Sequence, residues 1–399
     1  MRVEKLTESK WRVLNLTQQE VEALQVAGRA LASDTSWWGE EEETNIERTV
    51  IRCRPHSPNH WEVEVSNAIG LIALDTLQIE VNPKIPLPHL LYLFEKSTHF
   101  PRMADDLVAA LKGISFWRLL YLWYLSELEQ VIRRGLVRDY HEISQTLKVV
   151  RGKIDPITTL RSVYSGRLDI PCEYEEYNFD TPLNRVLVQA GKIVRSSSSL
   201  QVHDRGRAGA CLARIGRIGE YVPHDLRTSI DRRSAHYRNA LQLAHHILCS
   251  VGRTVKTGET YAKTFLIRTP EMVEEGIRRI LKERLGQFWS IEKHGIRIPG
   301  TSMTLNPDLV FDNGVAVGDV KYKLFSGDWN RGDLYQLISF AEGYGATRGC
   351  LLGFQTGGVS PAPITVGTKH LRSISWPAYE EIQAYDASQQ VVNEVREWL

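Results

Sequence analysis

Cysteine is scarce and scattered. The five residues, Cys53, Cys172, Cys211, Cys249 and Cys350, include no Cys-x-x-Cys pair, so neither a zinc ribbon nor a disulfide framework is indicated and a reducing cytoplasm is the expected setting. Charge imbalance is absent too. The 49 Lys and Arg residues against 48 Asp and Glu leave a net charge of +1, which gives no global field for drawing in polyanions. Any nucleic-acid contact must use local patches. No apolar run approaches the roughly 18 residues that a membrane span needs, and the opening MRVEKLTESKWRVL has no apolar signal core. A soluble, unprocessed protein is expected. There is no internal repeat, and no GxxxxGK(S/T) loop to cradle a nucleotide triphosphate.

What is present suits two or three domains: 399 residues, 42% hydrophobic and 24% charged, enough to bury more than one core. The fold class expected is a multidomain α+β protein. Residues 1–112 carry short alternating stretches, WEVEV from Trp61 and LQIEV from Leu77, punctuated by Pro83, Pro86 and Pro88; they read as a β-rich domain. Residues 113–252 read as mainly helical, with helices over Ile114 to Arg134, Leu183 to Val194 and Tyr237 to Cys249. Between the last two, Ser196 to Ser199 lead into an arginine-rich, glycine-containing stretch expected to be a surface loop. From His203 to Arg238 it holds eight arginines against four acids, a local phosphate-tracking patch in which Arg205 and Arg207 are candidate contacts. His245 and His246 are adjacent on a helix, point about 100° apart and make poor joint metal ligands. Residues 253–399 read as a helix from Pro270 to Leu285, a strand over Phe288 to Ile298, and two strands joined at Asp312-Asn313-Gly314. A helix from Asp333 to Gly343, a strand from Gly349 to Phe354 and a terminal helix after Pro377 follow. Asn-Gly is a strong hairpin signal.

That hairpin carries the candidate chemistry. Asp308 lies on its first strand; Asp319 and Lys321 lie two residues apart on the second and so share a face. Two adjacent carboxylates repel unless a divalent cation neutralises them, and hard oxygen ligands suit Mg²⁺ or Mn²⁺. Such an ion, with an ammonium nearby, fits phosphodiester hydrolysis. The plain alternative is a solvated ion pair on an exposed strand, but VAVGDV is apolar enough for a central strand, where a functionless Asp would be costly. On the helix that follows, Gln336 and Tyr344 can reach the site, with Tyr335 beside them. On the helix upstream, Glu274 can add an acidic ligand, whereas Glu275 is spaced to pair with Arg279. In VRGKID, Arg151 and Lys153 flank a glycine in a cationic turn suited to a partner surface, or simply a turn stabilised by Asp155. Asp180 reads as a helix N-cap.

Pro-Asp, a spacer of ten residues and Asp-x-Lys resemble the motif of PD-(D/E)xK nucleases, and Gln336 resembles the helix glutamine of the RecB-like branch. The likeness extends further. PKI at Pro83 to Ile85, RGLVRDY from Arg134, VRGKID from Val150, DTPLNRVL from Asp180, and YRNALQLAHHIL followed by TFLIRTPEMVEE resemble the McrC family in order and spacing. One departure is Arg268-Thr269-Pro270, where the family tends to have an Asp-Met turn. The resemblance implies a C-terminal restriction-endonuclease-like mixed sheet flanked by helices, Mg²⁺-dependent cleavage of modified double-stranded DNA, and docking through the N-terminal domain on a McrB-like AAA+ GTPase hexamer whose GTP hydrolysis it stimulates. It implies that Asp308, Asp319 and Glu274 hold metal, with Lys321 and Gln336 assisting. Two rival readings are a non-cleaving adaptor of the GTPase and a stand-alone RecB-like repair nuclease.

Overall fold

The computed structural model describes residues 2–32, 49–74, 76–97, 100–101, 116–167, 169–197, 200–251, 253–257 and 260–399, the side chains of 250–265 excepted. The expected domain boundary at 112 and helix start at Ile114 lie outside the described residues, as do Ser198 and Ser199. No described helix is long and apolar enough to cross a membrane. Two compact units emerge, one of residues 1–119 with 250–399 and one of residues 120–249.

The N-terminal part of the first unit is β-rich, as its alternation implies. It runs β1 (Arg2–Thr7), β2 (Arg12–Asn15), α1 (Gln18–Ala32), β3 (Ile51–Ser57), β4 (His60–Val65), β5 (Ala68–Ala73), β6 (Leu77–Asn82) and α2 (Leu87–Lys96). Alternate residues of β6 (Leu77, Ile79 and Val81) point into a core with Leu6, Leu24, Val63 and Ile72, each such side chain contributing about 1.5–3 kcal/mol by burial.

In the second unit the chain forms most of α3 (Phe116–Arg134), then β7 (Asp139–Leu147), β8 (Lys153–Ile154), α4 (Pro156–Tyr164), β9 (Ile170–Asn178), α5 (Pro182–Ser196), α6 (Val202–Ile215) and α7 (Arg238–Val251). Three expectations need amending. The mainly helical middle also holds a three-stranded antiparallel sheet of β7, β9 and β8; one face of β7 and β9 is exposed and the other is mostly only half-buried and largely polar, so no apolar alternation marks them. The arginine-rich stretch is not a loop at its start. It forms α6, because Ala208, Cys211 and Ile215 make a buried stripe at helical spacing that overrides the low propensity of Gly206 and Gly209. Asp180 is not the cap of α5 either. Thr181 Oγ1 accepts from Asn184 N at 3.2 Å, while Asp180 accepts from Arg185 and from Gly219 N.

The C-terminal part begins with β10 (Arg253–Thr257) and β11 (Thr260–Arg268). These strands fall within the segment expected to be a separate nuclease domain, yet β11 pairs with β5, so that β1-β6-β5-β11-β10 is one sheet. Next come α8 (Pro270–Leu285), β12 (Ile291–Glu292), β13 (Ile296–Arg297), β14 (Thr304–Leu305), β15 (Leu309–Phe311), β16 (Ala316–Leu324), α9 (Arg331–Gly343), β17 (Arg348–Gln355), β18 (Ile364–Val366), β19 (Lys369–Pro377) and α10 (Ala384–Trp398). The single strand expected over Phe288 to Ile298 is broken into β12 and β13, and β18 and β19 were not anticipated. The sheet order is β12-β15-β16-β17-β19-β18, parallel at β16-β17-β19 and antiparallel elsewhere. It is a mixed sheet. Helix α8 packs so closely on α2 that a Cβ on Gly276 would come within 2.4 Å of Leu93 O, which fixes the helix bearing Glu274.

Candidate active site

Strands β15 and β16 form the expected hairpin, turning through Asp312, Asn313 and Gly314, all with positive φ. Leu309 stands opposite Gly318, where the ladder ends; Asp308, expected on the strand, lies in the bend just before β15, still close enough to act on the Asp319 carboxylate. Asp308 Oδ2 accepts from Val320 N at 2.8 Å, a side-chain bond where the ladder ends. Both carboxylates are buried, Asp308 5% and Asp319 2% exposed. Lys321 Nζ lies 2.8 Å from Asp319 Oδ2. Beyond Val320 the ladder to β17 shifts until Leu324, and the released stretch carries Lys321, Tyr322 and Lys323 into a cleft of about 830 Å³ that Asp308, Asp319, Glu274 and Gln336 also line.

Thus the residues expected to share a site from 253–399 do share one cleft. Two positively charged neighbours were not anticipated: Lys293 Nζ lies 3.6 Å from Asp308 Oδ1, and Arg278 donates to Asp308 O at 3.3 Å. Neither has a local sequence signal, since each reaches Asp308 from another element. Phe340 lines the cleft, whereas Tyr344 hydrogen-bonds His294 O and Tyr335 is 60% exposed and outside the lining. Glu275 pairs with Arg278 and Arg279, whereas Glu271 and Glu274 of α8 both line the cleft, Glu271 in an ion pair with Arg268. The remaining candidates belong to the second unit. Arg151 stacks over Tyr174 at 3.9 Å and pairs with Glu176; Lys153 is exposed on β8; Asp155 caps α4; Arg207 is paired with Glu129 at 3.0 Å; Arg205 lies on α6.

Burial, the nearby Asp308 charge and Glu271 together push Glu274 up to about 8, against the pull of Lys293 and Lys321. Burial and then Asp308 likewise raise Asp319, with Lys321 opposing. Burial alone would depress Lys321, but Asp319, Asp308 and Glu274 outweigh it and hold the ammonium above its usual range. The cleft is therefore overloaded with carboxylates that only a proton or a cation can relieve.

Among the described residues no three His, Cys, Asp or Glu side chains form a ready metal cage. Mg²⁺ does not need one, since it commonly takes one or two carboxylates and keeps several waters. Asp308 and Asp319 fit that requirement. They are hard oxygen donors, and Asp319 Oδ2 is buried without a hydrogen-bond partner of acceptable geometry despite its close contact with Lys321.

Linkage supplies a test on the metal-free chain. Glu274 titrates higher in the folded state than in the unfolded chain, so folding takes up a proton between about pH 4.3 and the folded value. Stability then falls as pH rises through that window and is lowest above it. Glu274→Gln is expected to match wild type at pH 4.5 and to exceed it by on the order of 1–2 kcal/mol at pH 9, a gap that Mg²⁺ should narrow. Denaturant titration at the two pH values checks it; a variant less stable at pH 9 would show that Glu274 is not strained.

The family described as McrBC 5-methylcytosine restriction system component matches residues 63–354. Among solved structures, the chain is similar at a TM-score of 0.73 and 16% identity, over 100% of both chains, to one in the refined half-complex from a tetradecameric assembly of Thermococcus gammatolerans McrB AAA+ hexamers with bound McrC. Another, in the cryo-EM structure of the Thermococcus gammatolerans McrBC complex, gives a TM-score of 0.49 and 15% identity over 71% of this chain and 88% of that one. No curated protein matches. At such identities the structural likeness bears on the fold alone.

Proposed function

The chain belongs to the family of McrBC 5-methylcytosine restriction system components, and on that premise we propose that it is the Mg²⁺-dependent DNA endonuclease subunit of a modification-dependent restriction system. The observation that carries this reading is the meeting of Asp308, Asp319, Lys321 and Glu274 in one cleft. The mixed sheet with α8 and α9 is then a PD-(D/E)xK fold. When bound by Asp308 and Asp319, Mg²⁺ or Mn²⁺ supplies Lewis-acid polarisation of a phosphodiester and a water of lowered pKa. Lys321, kept protonated by its acidic neighbours, orients that water or offsets the charge that develops on the phosphate oxygens. Glu274 holds or releases a proton near neutral pH, and Gln336 positions the substrate from the cleft wall.

Docking on a McrB-like AAA+ GTPase hexamer is supported by family membership and by the absence of a phosphate loop in the chain. The experiment combines the chain with such a motor, GTP, Mg²⁺ and either methylated or plain duplex DNA. Methylated DNA should be cut only when every component is present. Stimulated GTP hydrolysis with no cut in any mixture would instead favour the adaptor.

A further inference from the structure

Lys84 belongs to the Pro83-Lys84-Ile85 segment, to which the nuclease chemistry above gives no part. Its backbone is fixed: Ile85 is buried, and Lys84 N donates to Glu8 Oε1 at 3.2 Å. Its side chain lines the same cleft as Asp308 and Asp319, with Nζ 4.0 Å from the centroid of the Tyr322 ring. Tyr322 is the residue between Lys321 and Lys323 on β16.

The other cations along that lining each have a carboxylate at hand: Lys293 with Asp308, Lys321 with Asp319, Lys323 with Asp333, and Arg268 with Glu271. Lys84 makes no ion pair with a described residue. Glu8, behind it, is fully buried, and its two oxygens accept from Lys84 N and from Thr269 Oγ1 at 2.8 Å. That carboxylate attracts the ammonium electrostatically without touching it. An ammonium set on an aromatic face, partly desolvated and open to a cleft, is prepared for an anion from outside.

We propose that Lys84 binds a DNA backbone phosphate flanking the scissile one, so that the bend after β6 supplies part of the substrate groove. The assignment deepens the nuclease reading and rests on it. The competing role is a structural counter-charge for Glu8.

Anisotropy of a labelled duplex on the full chain, without divalent cation and across a salt series, reads binding apart from cleavage. Lys84→Met is expected to weaken binding about tenfold and to flatten the slope of log K against log salt by about 0.9. Lys84→Arg should restore both, and Glu8→Gln should leave the slope unchanged. Wild-type binding and slope in Lys84→Met overturn the proposal, as does a wild-type chain with no affinity for duplex. If Lys84→Met does not fold, Lys84→Arg decides: a folded variant that fails to bind overturns it. Failure of the nuclease reading shows elsewhere, as Lys84-dependent binding with no cutting in the reconstituted mixture.

Discussion

Asp319→Ala is expected to lower DNA cleavage by about three orders of magnitude or more while leaving stimulation of the partner's GTP hydrolysis near wild type. The size follows from the position of the residue. Asp319 is 2% exposed, interacts with the Asp308 carboxylate and has its Oδ2 in contact with Lys321. Its loss would remove half of the proposed two-carboxylate metal site and the counter-charge of the Lys321 ammonium. Removal of one charge from an overloaded cleft should not unfold the chain, because the carboxylate is itself destabilised there. Cleavage and GTP hydrolysis measured on one reconstituted sample check both halves. Retained cutting would reject the site; loss of both activities would indicate misfolding and leave Lys321→Met to decide by the same split.

Asn184→Ala is expected to destabilise the second unit by roughly 3–4 kcal/mol, the largest stability effect of any single substitution considered. Asn184 is fully buried. Its Nδ2 donates to Val137 O at 2.9 Å and to Phe179 O at 2.8 Å, and its Oδ1 accepts from Tyr237 OH at 2.7 Å. Tyr237 OH in turn accepts from Val137 N at 2.8 Å. Truncation would leave two carbonyls and a hydroxyl short of partners in a dry interior, where each costs about 1–3 kcal/mol and partial relaxation recovers some of the sum. Tyr237→Phe removes two of these bonds, leaves Asn184 Oδ1 and Val137 N short of partners and should cost about 2 kcal/mol. Urea unfolding of both variants checks the ranking. A loss below about 1 kcal/mol for Asn184→Ala would mean that DTPLN acts elsewhere than in holding the fold.

The hairpin of β15 and β16 was legible because its signals are local. Period-two alternation places Asp319 and Lys321 on one face, and Asn313-Gly314 brings Asp308 to them. The order of α8, α9 and β17 was legible from the pattern of apolar residues along the chain. What escaped is contact between distant segments. Nothing near Leu266 tells that it will pair with Gly70, so the sequence separates residues 253–399 from a sheet that they in fact help to build. Lys293 and Lys84 reach the cleft from other elements and carry no spacing relative to Asp308. Helix α6 was hidden because its arginines and glycines mask a stripe of only three apolar residues. The sheet of β7, β8 and β9 was hidden because neither face is apolar enough to show an alternation.

Electron paramagnetic resonance of Mn²⁺, titrated into wild type, Asp308→Ala and Asp319→Ala with a short duplex present, reads the ion at its ligands. Wild type should bind a single tight Mn²⁺ per chain, and each alanine variant should weaken it by about two orders of magnitude. Equal affinity in all three proteins would contradict a metal site built on these two carboxylates.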